Sequence, residues 1–315
     1  MDIPLIDIAP FFSEDAAARH AVALAWGAAM RSSGFAIISG HGIAEISAEG
    51  VYNCARDFFA RPLDRKMALC FSDMMRGQGY LPLGNERVGK ARVANARPDL
   101  CESLTFCATR GARENLWPAD MPGFRETIET YIAAGNRLAR SLMRLSALAL
   151  GLPENYFAPF FEKMNSDLRC VLYPEQSEAP QAGQLRYGPH TDFSGFTILR
   201  QDCAPGGLQV KTGEGWADVP SIPGSLVINA GDLIQRWTND RWISNIHRVT
   251  NPPRDKTHGA RRLSIVLFTG PNSDAVIESL PTCGVPNYAP IVAGAHVQER
   301  IAGTYGNLAP GRAAP

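Results

Sequence analysis

The sequence predicts an α+β chain built on a double-sheet jelly-roll core. Two observations carry that prediction. Before about residue 165 the longest apolar pattern has helical spacing; after it, short β-rich runs alternate with Gly and Pro. A third observation, the lack of any repeat or low-complexity block in 315 residues, makes a single unit over 1–315 the expected organisation.

The elements follow in chain order. Ile3 to Ile8 alternates imperfectly and reads as a strand, with Pro4 near its start. Ser13 is placed to cap a helix, with Glu14 and Asp15 in its first turn, and Gly34 ends that helix. Phe35 to Ser39 reads as a short apolar strand, and residues 45–70 as helical with Pro62 interrupting. Residues 72–100 are rich in Gly, Arg and Asn, and are expected to form a functional loop. Ile128, Tyr131, Ile132, Leu138, Leu142, Leu145 and Leu148 then recur at three and four, which predicts a long helix stopped by Gly151 and Pro153. The predicted core strands are LRCVLY (168–173), FTIL (196–199), GLQV (207–210), SLVIN (225–229) and LSIVLFT (263–269). Gly213-Glu214-Gly215 marks a hairpin, and the C-terminal APGRAAP reads as a frayed tail.

Thirty-one basic residues balance thirty-one acidic ones, so no global field favours nucleic acid or an anionic membrane. Seven cysteines with scattered spacing and no CxxC pair point to reduced thiols, with Cys101 and Cys107 as packing or surface residues. MDIPLIDIAPFF lacks the pattern of a secretory leader, and no run approaches the roughly 20 apolar residues of a membrane span. The expectation is a cytoplasmic protein with a small-molecule partner, without nucleic acid or membrane, and monomeric.

The chemistry concentrates in His190-Thr191-Asp192. In a strand, residues two apart share a face, so the imidazole and the carboxylate can meet one ion. His247, in a second β-like run over 243–250, can supply a third ligand. Two His and one carboxylate suit non-haem Fe(II) with open positions; zinc accepts the same donors. Alone, HxD is a weak signal, since a surface His beside a strand-end Asp gives the same string. Fifteen residues after His247, Arg262 and Ser264 share a strand face with Val266 and Phe268, and a guanidinium beside a hydroxyl makes a carboxylate receptor. A surface ion pair beside a packed Ser is the plainer reading of that string.

The ordered motifs SGFAIISGHGI (33–43), DFFARPLDRKM (57–67), GQGYLPLGNE (77–86), PDLCESLTF (98–106), NLWPADMPGF (115–124), HTDFSGFTIL (190–199), GGLQV (206–210), PGSLVINAGDLIQRWTNDRW (223–242), HRVTNPP (247–253) and RLS (262–264) resemble the isopenicillin N synthase-like family of 2-oxoglutarate/Fe(II) oxygenases. The resemblance spans nearly the whole chain. It implies a distorted double-stranded β-helix, wrapped by N-terminal helices and closed by a C-terminal helix. The regions implied are 1–125 (the family N-terminal region), 165–272 (the Fe(II)/2-oxoglutarate jelly-roll core) and 285–306 (a C-terminal helical segment). His190, Asp192 and His247 match the iron ligands; Arg262 and Ser264 match the pair that binds the far carboxylate of 2-oxoglutarate, and Tyr173 a tyrosine that often joins them. Asn229 and Trp237 lie in a stretch the family places near the site. Val171 and Cys101 stand where the family often has Asn and Lys, and the link from His247 to Arg262 is longer than usual. His41 matches a structural residue beside a turn.

The implied reaction is oxidation of a C–H bond of a small organic molecule, by hydroxylation or desaturation, with release of succinate and CO2. Its cofactors are Fe(II), 2-oxoglutarate and O2, with ascorbate as an accompanying reductant. Leu104, Phe106, Trp237, Phe268, Arg87 and Arg92 are the candidate substrate-pocket residues. The alternatives are an oxidase of the same fold that does not use 2-oxoglutarate, an ethylene-forming-type enzyme, and a non-catalytic binding protein.

Overall fold

The computed structural model describes residues 2–70, 78–93, 95–108 and 114–305. The C-terminal APGRAAP and the start of the 72–100 loop lie outside them.

In chain order, β1 (Leu5–Asp7) leads to α1 (Ala16–Ser32), β2 (Phe35–Ser39), α2 (Glu45–Phe59) and α3 (Leu63–Met67). β3 (Gly79–Leu81), a 3-10 turn at Val88–Ala91, and β4 (Glu102–Cys107) precede the long α4 (Phe124–Ala149). The barrel strands follow: β5 (Asn165–Tyr173), β6 (Tyr187–His190), β7 (Phe196–Gln201), β8 (Leu208–Thr212), β9 (Gly215–Asp218) and β10 (Leu226–Ala230). Then come α5 (Asp232–Trp237), β11 (His247–Val249), β12 (Arg262–Gly270), the short β13 (Val276–Ile277) and β14 (Ile291–Val292), and α6 (Ala293–Tyr305). None of the described helices is long and apolar enough to cross a membrane.

Two local expectations are corrected. Asp15, not Ser13, caps α1: its carboxylate accepts from Ala17 N and Ala18 N, while Ser13 Oγ donates back to the Pro10 carbonyl. The strand carrying HxD stops at His190, so Asp192 lies beyond its end. The six-residue α5 had no periodic signal to announce it.

Eight strands form one sheet in the order β1-β2-β10-β7-β12-β5-β4-β3, and four form a second, β6-β11-β8-β9. The expected hairpin joins β8 to β9, with Thr212 opposite Gly215. Strand alternation gives the large sheet two buried faces. Leu226, Ile228 and Ala230 of β10, Leu263, Ile265 and Leu267 of β12, and Leu168, Cys170 and Leu172 of β5 face the main core with α1, α2 and α4. The intervening residues face the second sheet: Val227 and Leu199 pack there with Phe35, Leu208 and Val210. On that inner face, β12 carries Arg262, Ser264, Val266 and Phe268, and β5 carries Arg169, Val171 and Tyr173. α4 lies so close to β12 that a Cβ on Gly135 would come within 2.2 Å of Leu267 Cδ2. Helices cover one face of the large sheet and the small sheet covers the other, leaving a polar interior between the two sheets.

Candidate metal centre

β6 and β11 pair antiparallel with His247 opposite His190. This register, more than the HxD spacing, brings the two imidazoles together, with ring centroids 4.1 Å apart. Asp192, just past β6, sets Oδ1 at 3.7 Å from His190 Nε2 and 3.7 Å from His247 Nε2. The three donor atoms lie within 4.8 Å of one another.

Each ring is oriented from behind. His190 Nδ1 lies 2.9 Å from the Gly188 carbonyl, and His247 Nδ1 lies 3.1 Å from the Asn245 carbonyl. A carbonyl only accepts, so both Nδ1 atoms carry hydrogen and both Nε2 lone pairs face the centre. Tyr187 sits edge-on to His190 at 4.8 Å, and Phe35 to His247 at 5.4 Å. The other oxygen of Asp192 is occupied: Thr197 Oγ1 donates to Oδ2 at 2.5 Å and Asn229 Nδ2 at 2.7 Å. Thr197 and Asn229 stand directly opposite each other on β7 and β10, which explains their joint reach.

Electrostatics keeps His190 and Asp192 in ligand form. Burial and the facing His247 imidazole push the His190 pKa well down, so its ring is neutral. Burial works to raise the Asp192 carboxyl. His247, His190 and the two hydrogen bonds outweigh it and hold it below the usual carboxylate range. Two imidazoles with their Nε2 atoms turned inward and one carboxylate, on one side of a point, fit a divalent iron with open positions.

Arg262 and Ser264 are both buried on the inner face of β12, and the register sets Tyr173 opposite Arg262. The long link before Arg262 has therefore not displaced it from the barrel interior. One edge of the guanidinium is engaged: Nη2 donates to Gln201 Oε1 at 2.6 Å, and Nη1 to the Asp202 carbonyl at 3.0 Å. Its Nε is buried with no hydrogen-bond partner among the described residues. Arg186 lies nearby, fully buried, and among the described residues it donates to the carbonyls of Pro205 and Ala260. Burial, and then the charge of Arg262, lower its pKa to about 10. Two guanidiniums against one carboxylate, Asp202, make a positive well that suits a dianionic acid.

The remaining candidates divide. Phe268 is half-buried on the inner face, as a pocket wall would be. Leu104 and Phe106 are corrected. They face the helical layer, where Phe106 stacks on Trp117 at 4.6 Å, while their neighbour Ser103 turns inward to Arg169. Trp237 is also corrected: it packs among Phe157, Phe160 and Phe161. Arg87 and Arg92 are exposed on the loop over the site, and Arg92 reaches Thr191 Oγ1 at 3.1 Å. His41 packs beside a turn against the Gly224 carbonyl, away from the triad.

Sequence reasoning missed a buried polar wall beside His190. Arg169, on the same inner face as Tyr173, donates to Glu86 and to Ser103 at 2.9 Å, and its Nη1 reaches Tyr187 at 3.3 Å. Asp99 accepts from the backbone N–H of Val88 and Gly188, both at 2.8 Å, tying the loop to the His190 strand. Burial pushes its pKa up to about 7. An Arg four residues before Tyr173, and so on the same strand face, was the available signal for the wall.

Residues 163–271 match the family model of the 2OG-Fe(II) oxygenase superfamily, and residues 3–121 that of the N-terminal region of the non-haem dioxygenases in morphine synthesis. The chain is 34% identical to the 2-oxoglutarate-Fe(II) type oxidoreductase hxnY of Emericella nidulans, over 96% of this chain and 89% of that one. It is 32% identical to the proline hydroxylase buaE of Petromyces alliaceus, over 89% and 91%. Among solved structures, a full-length Neurospora crassa protein in complex with alpha-KG superposes with a TM-score of 0.86 at 32% identity, covering 96% of each chain.

Proposed function

The chain belongs to the 2-oxoglutarate/Fe(II) oxygenase superfamily, and on that premise we propose that His190, Asp192 and His247 hold its iron while Arg262, Ser264 and Tyr173 receive the far carboxylate of 2-oxoglutarate. The enzyme is a 2-oxoglutarate/Fe(II)-dependent dioxygenase that uses O2. The observation that carries the assignment of ligands is the convergence of two imidazole Nε2 lone pairs and one carboxylate oxygen within 4.8 Å.

With O2 as the oxidant, bound iron and 2-oxoglutarate would supply the chemistry, one oxygen atom going to the C–H bond and the other to succinate as 2-oxoglutarate loses CO2. The chain's residues position and insulate that chemistry. The Gly188 and Asn245 carbonyls fix the imidazole tautomers; Thr197 and Asn229 restrict Asp192 to one free oxygen. The Arg262 charge, with Arg186 behind it, draws an acid to the inner end of the barrel. Val171, Val266 and Phe268 wall the interior against water. By likeness to the proline hydroxylase, the proposed outcome is hydroxylation of a small organic molecule. Seven cysteines outside any disulfide support a cytoplasmic setting.

The test is anaerobic titration of Fe(II)-reconstituted protein with 2-oxoglutarate, followed by the weak visible charge-transfer band of the chelate. A saturable band is expected. His190→Ala should abolish it, and Arg262→Ala should demand roughly 10–100-fold more 2-oxoglutarate, the worth of a charge-assisted pair. One bound iron without a band would overturn the role of 2-oxoglutarate at this site; no bound iron would overturn the triad.

A further inference from the structure

Thr191, between two of the proposed ligands, is 4% exposed. Its hydroxyl oxygen accepts from two arginines that arrive from different elements. Arg92, on the loop over the site, places Nη2 at 3.1 Å. Arg300, on α6, places Nη2 at 3.3 Å. A hydroxyl has two lone pairs and one hydrogen. Both lone pairs are taken, and among the described residues no acceptor receives the hydrogen. Two guanidiniums and a free O–H thus converge within the span of one carboxylate.

The surrounding charge points the same way. The loop carries Arg87, Lys90, Arg92 and Arg97, and its two acids are turned inward: Glu86 to Arg169, Asp99 to the backbone of Val88 and Gly188. Among the described residues none of these four cations has an ion-pair partner. Arg300 does have one, Asp232 at 3.2 Å, and its guanidinium lies over the Phe193 ring at 4.9 Å. Counting Asp232, the rim retains the positive charge of Arg92. The loop is held close: a Cβ on Gly188 would meet Gly89 N at 3.0 Å. Asp232 offsets Arg300, so of the two like charges that meet on this neutral oxygen, Arg92 is the one for which an added anion would relieve the repulsion.

We propose that Arg92, Arg300 and Thr191 form a carboxylate receptor beside the His190–Asp192 segment of the metal centre, so that the substrate is an organic acid held by its carboxylate. This rests on the oxygenase reading above and adds the class of substrate. The receptor is distinct from Arg262, which serves the co-substrate deeper in the barrel.

The test uses a panel of small organic acids, amino acids included, each beside its primary amide, with the Fe(II)- and 2-oxoglutarate-loaded enzyme. Substrate-dependent succinate release is read as kcat and KM. Acids are expected to exceed their amides in kcat/KM by roughly 10–100-fold. Arg92→Gln and Arg300→Gln should each raise the KM of the preferred acid by about tenfold or more, with kcat changing far less, and should erase the preference for acid over amide. Arg92→Lys should restore part of it. Amides turned over as well as acids, or variants with unchanged KM, would overturn the proposal. So would variants that lose the 2-oxoglutarate band, because the arginines would then be structural staples. A wild-type protein without that band would overturn the oxygenase reading itself, and the titration reveals this before the panel begins.

Discussion

The two oxygens of Asp192 have different duties. Oδ2 is held by Thr197 and Asn229, and Oδ1 alone faces His190 and His247. Removing one of those donors frees the carboxylate to rotate and leaves a buried oxygen short of a partner. Asn229→Ala is therefore expected to weaken Fe(II) binding by roughly 10–100-fold, measured by chelator competition, with the circular dichroism spectrum of the wild type. An unchanged affinity would show that Thr197 suffices alone. His190, Asp192, Arg262 and Ser264 stood out in the sequence because HxD and RxS are local patterns, while His247 had to be added from a separate β-like run. Thr197, Asn229, Gln201 and Asp202 were silent as a set, because their roles depend on register between strands far apart in the chain. Arg300 was silent because its part depends on where α6 docks.

At the scale of elements, the strands of the large sheet were legible and their facing was not. LRCVLY and LSIVLFT lie within β5 and β12. Hydrophobic alternation reveals the facing of a strand when one side meets water. Here helices bury one side and the second sheet buries the other, so Leu104 and Phe106 could be placed in a strand but not on a side. The helix–sheet contact is tightest at Gly135, where glycine is used for closeness at the cost of helix propensity. Ala at that position gains about 1 kcal/mol of propensity, but its methyl must displace the fully buried Leu267. Overpacking costs about 1–3 kcal/mol, so Gly135→Ala should lower the denaturant midpoint. A midpoint at or above that of the wild type would mean that α4 can shift away from β12 freely.

At the scale of the whole molecule, the proposed ligands bridge two sheets. His190 and His247 come from the four-stranded sheet, and Arg262 and Ser264 from the eight-stranded one. Iron chelated by 2-oxoglutarate would link them. At 100 times its dissociation constant, such a ligand set adds about 2.7 kcal/mol, or a Tm increase on the order of 5 °C for a chain of this size. The full rise should need both components, iron alone giving a smaller one, and Arg262→Ala should remove most of the 2-oxoglutarate share while keeping that of iron. A full rise with iron alone would place the stabilisation within one sheet.

The order of the eight strands has a further consequence. β10, which presents Asn229 to Asp192, is hydrogen-bonded on one side to β7 and on the other to β2, four residues deep. A chimera that grafted residues 163–271 onto a foreign N-terminal half would have to rebuild an edge equivalent to Phe35–Ser39, or leave a bare apolar strand open to intermolecular pairing. The two halves are therefore poor units of exchange between relatives. Recombination aimed at new substrates would do better to trade the loop around Arg92 and the helix around Arg300, which meet the centre from outside and leave the sheet intact.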